Sequence, residues 1–154
     1  MRSVIQRVKR ASVSVDNQTI AEIHHGLVVL LGIARGDESG IVSWMADKIT
    51  SLRIFADDHG KMNKSVCDVG GELLVISQFT LYADVAKGRR PSFTKAASRE
   101  IAEPLYNEFI RMCRQSVSVV QTGRFGADMD IQLVNWGPVT IWLDSRMKNP
   151  SHSD

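Results

Sequence analysis

The order of apolar and polar positions divides the chain into short strands, two helices and a polar end. Residues 2–8 and 11–15 cluster β-branched types, with Val4, Ile5 and Val8 followed by Val13 and Val15. Asp16-Asn17 supplies turn chemistry, and Thr19–Ile23 is placed to pair back as a hairpin. Gly26 opens Leu27–Ile33, an apolar run of strand length expected to be buried on both faces. Asp37 or Ser39 stands where it can cap a helix whose apolar positions are Ile41, Trp44, Met45, Ile49 and Leu52. Asp58-His59-Gly60 reads as a turn, and Gly70-Gly71 launches a second buried strand, Leu73–Ile76.

That strand passes into Ser77-Gln78-Phe79-Thr80-Leu81, where polar side chains arrive just as an apolar strand should end. Lys87-Gly88-Arg89-Arg90-Pro91 is a basic loop. A second helix is expected from about Ser98, with Ile101, Leu105, Phe109 and Met112 on one face. Pro104 lies inside it and removes one helical hydrogen bond, so a kink or a delayed start is expected. Three strand-like pieces follow, Val117–Val120, Ile131–Val134 and Val139–Leu143. The last two flank Asn135-Trp136-Gly137-Pro138. Proline cannot donate to a sheet ladder, so Gly-Pro should stop the sheet there or mark an edge, a bulge or a bend.

Two helices cannot cover both faces of that many strands. The order therefore predicts a mixed α+β (α/β) layered fold, two packed β-sheets with the two main helices on one side. Residues 1–145 read as a single domain and residues 146–154 as a flexible polar tail. No glycine-rich phosphate loop follows a strand, which argues against a nucleotide-binding Rossmann or P-loop protein.

Composition narrows the class. Of 154 residues, 44% are hydrophobic and 23% charged, ordinary globular usage. A net charge of +2 argues against a strongly basic nucleic-acid coat but leaves room for a local patch. Cys67 and Cys113 share no metal-type spacing and suit no disulfide framework. The first residues are charged too often for a signal peptide, and no apolar run reaches membrane length. A soluble, cytoplasmic protein without membrane contact is expected.

Conventional catalytic groups are missing. His24, His25, His59 and His152 fall in turns or the tail, none at zinc-site spacing, so neither a metal nor another cofactor is supported. Ser77 and Thr80 are hydroxyls at the end of a buried strand, but no base accompanies them and there is no strained nucleophile elbow. They can simply satisfy strand-end backbone groups. Alternatively the backbone N–H groups carry the function, because preorganised donors stabilise an oxyanion without any titrating residue. Loop 87–90, with Lys95 and Arg99, reads either as a solvated surface or as a phosphate site. Trp136 and Trp142 read as core or interface aromatics.

Two signatures, Ser77-Gln78-Phe79-Thr80-Leu81 and Asn135-Trp136-Gly137-Pro138-Val139-Thr140, make the chain resemble the D-aminoacyl-tRNA deacylases, the chirality-checking editing enzymes. Ile5–Val8 with Arg10–Val13, Gly88–Phe93 and Thr122–Met129 support the resemblance, which spans about residues 1–145. It implies a homodimer with active sites at the subunit interface, acting on D-aminoacyl-tRNA and on glycine mischarged to tRNA. It implies that Gly137-Pro138 is a cis peptide that enters the partner's site and excludes L side chains with its carbonyl oxygens. Arg7 would brace that segment, and Asn135 belongs to the same motif. The backbone around Phe79 and Thr80 would hold the scissile carbonyl oxygen, with Ser77, Gln78 and Thr80 lining the centre and the terminal ribose hydroxyl assisting attack by water. Lys87, Arg89 and Arg90 are the candidate tRNA contacts. Trp136 departs from the family, which usually carries a small or acidic residue there. Two rival readings are a non-catalytic dimeric RNA-binding protein of the same fold and an ordinary Ser/Thr esterase.

Overall fold

The computed structural model describes residues 1–148. It contains strands β1 (Arg2–Val15), β2 (Gln18–Ile23), β3 (Gly26–Gly32), β4 (Phe55–Ala56), β5 (Met62–Lys64), β6 (Glu72–Ser77), β7 (Val120–Thr122) and β8 (Asp130–Asp144). The helices are α1 (Ser39–Ser51) and α2 (Arg99–Cys113). The main sheet has the order β2-β1-β3-β6-β7, with β8 added along β1, and β4-β5 forms a small separate hairpin.

The two regions read as adjacent β-rich pieces at the start are one strand of 14 residues. Its first half pairs with β3 and its second half with β2, while β8 runs along its other side. Asp16 and Asn17 take φ of 52° and 62°, the left-handed pair that closes this first hairpin. Alternation then sorts the side chains of the parallel β3-β6 pair. Leu27, Val29, Leu31, Leu73 and Val75 face α1 and α2 in the larger core. Val28, Leu74 and Ile76 face the other way, onto Val8, Ala11, Val13, Ala21 and Ile23. One hydrogen-bonded sheet therefore folds over itself into two β layers, with the helices on one side.

Helix details correct the sequence reading. Asp37 does not cap α1: Glu38 is the N-cap residue, and Asp37 Oδ2 accepts from the Ala34 N–H at 2.7 Å. Ser39 reaches α2 instead, donating to Glu108 at 2.9 Å. Pro104 lies inside α2 without delaying its start, on the exposed side of the helix. The buried face of α2 is Ala102, Tyr106, Phe109, Ile110 and Cys113, with the expected Leu105 and Met112 packed at its margin and Ile101 alone of the expected face exposed. Tyr106 fixes this rotation by donating its buried hydroxyl to the Val75 carbonyl at 2.7 Å. After β8, Ser145–Lys148 form a 3-10 turn in which Arg146 pairs with Asp144 at 2.8 Å. Residues 149–154 of the expected tail lie outside the described residues.

Candidate active site

The parallel register of β3 and β6 ends at Leu31 and Ser77, and the chain turns there. The Gln78 N–H donates to the Leu31 carbonyl at 2.8 Å, and Phe79–Tyr82 winds into a 3-10 turn. The corner fits closely over β3 because residue 32 is glycine: a Cβ there would meet the Gln78 carbonyl oxygen at 2.9 Å. Gln78 Nε2 donates to the Thr80 hydroxyl, which occupies that side chain locally. The first N–H groups of a helical turn have no carbonyl within the turn to bond, and here they belong to Phe79 and Thr80.

Arg2 holds the far end of the corner. Its Nη1 donates to the Leu81 carbonyl at 2.9 Å, its Nε pairs with Asp144 at 3.0 Å, and its guanidinium lies 4.6 Å from the centre of the Tyr82 ring. Burial pushes the Asp144 carboxyl up, but hydrogen bonds from Arg146 and Arg2 outweigh this and hold it at about 2.

Ser77, Gln78, Phe79 and Thr80 form one wall of a cavity of about 420 Å³. Leu31, Ile33, Ala97 and Ala102 make its apolar floor, and Phe125, Met129 and Ile131 a second wall, with Arg99 and Asp128 also lining it. That second wall depends on Gly123, where a Cβ would lie 2.6 Å from the Met129 sulfur. Arg99 stands out in the sequence only beside the basic loop, as a possible phosphate group, and Phe125 and Met129 only as members of the Thr122–Met129 stretch. No histidine lines the cavity, and among the described residues no three His, Cys, Asp or Glu side chains stand together as a metal site would need.

Asn135, Gly137, Pro138 and Arg7 form a second constellation, and none of them lines this cavity in the single chain. At Gly-Pro the strand bulges rather than stops, one of the outcomes expected of a proline in a sheet, and β8 runs through it. Gln6 pairs with Thr140 and Val8 with Asn135, so Trp136–Val139 make a four-residue excursion opposite Arg7 alone. Asn135 closes its base, accepting from the Val139 N–H at 2.8 Å and donating to the Thr140 hydroxyl at 3.1 Å. The Gly137–Pro138 peptide is cis, and Gly137 has φ of 132°, which a side chain would strain. Gly137 and Pro138 are exposed at the tip. Among the described residues β8 pairs only with β1, leaving its outer edge open. Trp136 and Trp142 are 38% and 45% exposed on that strand, so neither belongs to the core of the single chain.

Lys87, Arg89 and Arg90 are exposed at the tip of a hairpin closed by paired backbone bonds between Asp84 and Ser92. The hairpin leans on the corner through Phe93, whose ring meets Phe79 edge to face with centres 5.1 Å apart. The three cations do not line the cavity, although their loop abuts one of its walls.

A family model described as D-Tyr-tRNA(Tyr) deacylase matches residues 4–144. A D-aminoacyl-tRNA deacylase of Clostridium kluyveri is 60% identical over 145 residues, covering 94% of this chain and 97% of the relative. One from Desulfotalea psychrophila is 56% identical over 145 residues, with the same coverage of both chains. A solved structure named c-Myc DNA Unwinding Element Binding Protein superposes with a TM-score of 0.89 at 44% identity, covering 94% of this chain and 98% of that one.

Proposed function

This chain belongs to the D-Tyr-tRNA(Tyr) deacylase family, and from that membership and its cavity we infer that it hydrolyses the ester of D-aminoacyl-tRNA. It is a hydrolase of aminoacyl-tRNA ester bonds. The observation that carries the mechanism is a cavity walled by Ser77–Thr80 with no histidine in its lining. Chemistry there rests on fixed donors and on the substrate itself.

Water attacks the ester carbonyl carbon, and the developing oxyanion accepts from the Phe79 and Thr80 N–H groups. The C–O bond to the terminal ribose then breaks, and the ribose oxygen leaves with a proton. Free tRNA and a D-amino acid are the products. The vicinal ribose hydroxyl assists attack. Ser77 and Gln78 line the centre, and Thr80 is held by Gln78. The apolar floor and the Phe125 wall suit the flat terminal base.

Chirality is read by the second constellation, delivered by the other subunit of a homodimer. The open edge of β8, with Trp136, Pro138 and Trp142 exposed along it, supports such an interface. A stiff backbone corner at Gly137–Pro138 leaves no room for an L side chain but admits D residues and glycine. Asn135 and Arg7 hold that corner. Lys87, Arg89 and Arg90 take tRNA phosphates beside the cavity. The protein works in the cytoplasm, where its substrate is made.

The nucleic-acid-binding name of the solved relative favours a second reading, a non-catalytic RNA-binding protein. Incubation of the purified protein with D-Tyr-tRNA separates the two. Release of D-tyrosine is expected, whereas retention of the tRNA with its ester intact would establish the binding reading instead.

A further inference from the structure

Arg7 is a guanidinium only 7% exposed, and no carboxylate pairs with it among the described residues. A buried charge without a counter-ion is costly unless dipoles and aromatic faces surround it. Here they do. Nη1 donates to the Ile54 carbonyl, and Nε donates to the Trp136 carbonyl at 3.0 Å. The Trp136 ring lies 4.7 Å from the guanidinium carbon and the Phe55 ring 6.0 Å from it. Trp136 thus holds Arg7 twice, by its main chain and by its indole.

The same guanidinium reaches the next residue. A Cβ on Gly137 would stand 2.8 Å from Arg7 Nη2, so the charged plane abuts the backbone of the corner. Arg7 is also the one β1 residue opposite the whole excursion. Turning Gly137–Pro138 would require Trp136 to release Arg7, because residues 136 and 137 are joined and both touch it.

We propose that Trp136 is a positioning residue of the chirality gate: its indole covers the buried Arg7 guanidinium and thereby fixes the orientation of the Gly137–Pro138 carbonyls. This rests on reading Gly137–Pro138 as the gate. It predicts that an aromatic ring at position 136 matters for discrimination more than for ester cleavage itself. Asn135 clamps the base of the excursion through a bond from the Val139 N–H that does not involve the Trp136 ring.

The test compares Trp136→Phe with Trp136→Leu, both of which keep apolar bulk while only the first keeps a π face. D-Tyr-tRNA and L-Tyr-tRNA hydrolysis are measured for each variant and for the unaltered protein, with thermal unfolding recorded alongside. Trp136→Leu should lower the D-over-L ratio of kcat/KM by about tenfold, chiefly through faster L cleavage. Trp136→Phe should stay within about threefold of the unaltered protein. Equal discrimination in Trp136→Leu, or equal loss in both variants, would overturn the proposal. An unaltered protein without any chiral preference would instead remove the gate reading on which it stands.

Discussion

Arg2 and Leu81 are 79 positions apart, yet the guanidinium of one donates to the carbonyl of the other at 2.9 Å. The bond ties the start of β1 to the 3-10 turn that carries Phe79 and Thr80. If those two N–H groups hold the oxyanion, their aim depends on this anchor. Arg2→Ala should cost about 1–2 kcal/mol of stability, since charged hydrogen bonds are strong but this side chain is partly solvated. It should also lower kcat by about tenfold while leaving KM nearly unchanged, as expected when a group acts in the transition state. Steady-state kinetics beside a urea titration check both.

Asp144 links the same anchor to pH. Its folded carboxyl sits at about 2 against an ordinary 3.8, so it binds protons less readily folded than unfolded. Its contribution is complete above about pH 4 and lost as pH falls toward 2. Asp144→Asn should flatten the acid limb of the stability profile within that window. An unchanged limb in pH-dependent denaturation would show that Asp144 is not the responsible carboxylate.

Thr80→Ala distinguishes a hydroxyl nucleophile from a backbone oxyanion site. With the backbone in charge, activity should fall no more than about tenfold and no acyl-enzyme should accumulate under rapid acid quench. Removal of a true nucleophile would cost on the order of 10⁴ or more.

Much of the fold was legible from residue order because its determinants are local. Asp16-Asn17 takes left-handed φ in the closing turn, and the apolar run from Leu27 lies between two buried layers. The corner after Ile76 is visible as a change from apolar to polar residues. The size of the bulge in β8 was not visible. Four residues bulge opposite Arg7, and the neighbour that tolerates the bulge lies far away in sequence. The expected face of α2 meets the core at Leu105, Phe109 and Met112 but not at Ile101, because Tyr106 is set by the Val75 carbonyl, a partner 31 positions away. Phe125 carries no signal of its own until the fold brings it to the cavity, and Arg99, which the sequence groups with the basic loop, lines that cavity instead.

The basic hairpin makes a separate prediction. Replacing Lys87, Arg89 and Arg90 together by alanine should raise KM for D-aminoacyl-tRNA and reduce its dependence on salt, since each phosphate contact releases counterions. Hydrolysis of a D-aminoacyl-adenosine, which lacks the tRNA phosphates, should hardly change. Equal salt dependence in both proteins would take the loop out of the binding surface.

The most direct test of the whole account is the ratio of hydrolysis rates for D-Tyr-tRNA and L-Tyr-tRNA with the purified protein. A corner that excludes L side chains by collision predicts rapid loss of the D ester and an L ester that decays no faster than in buffer. Equal cleavage of both, or of neither, would contradict it.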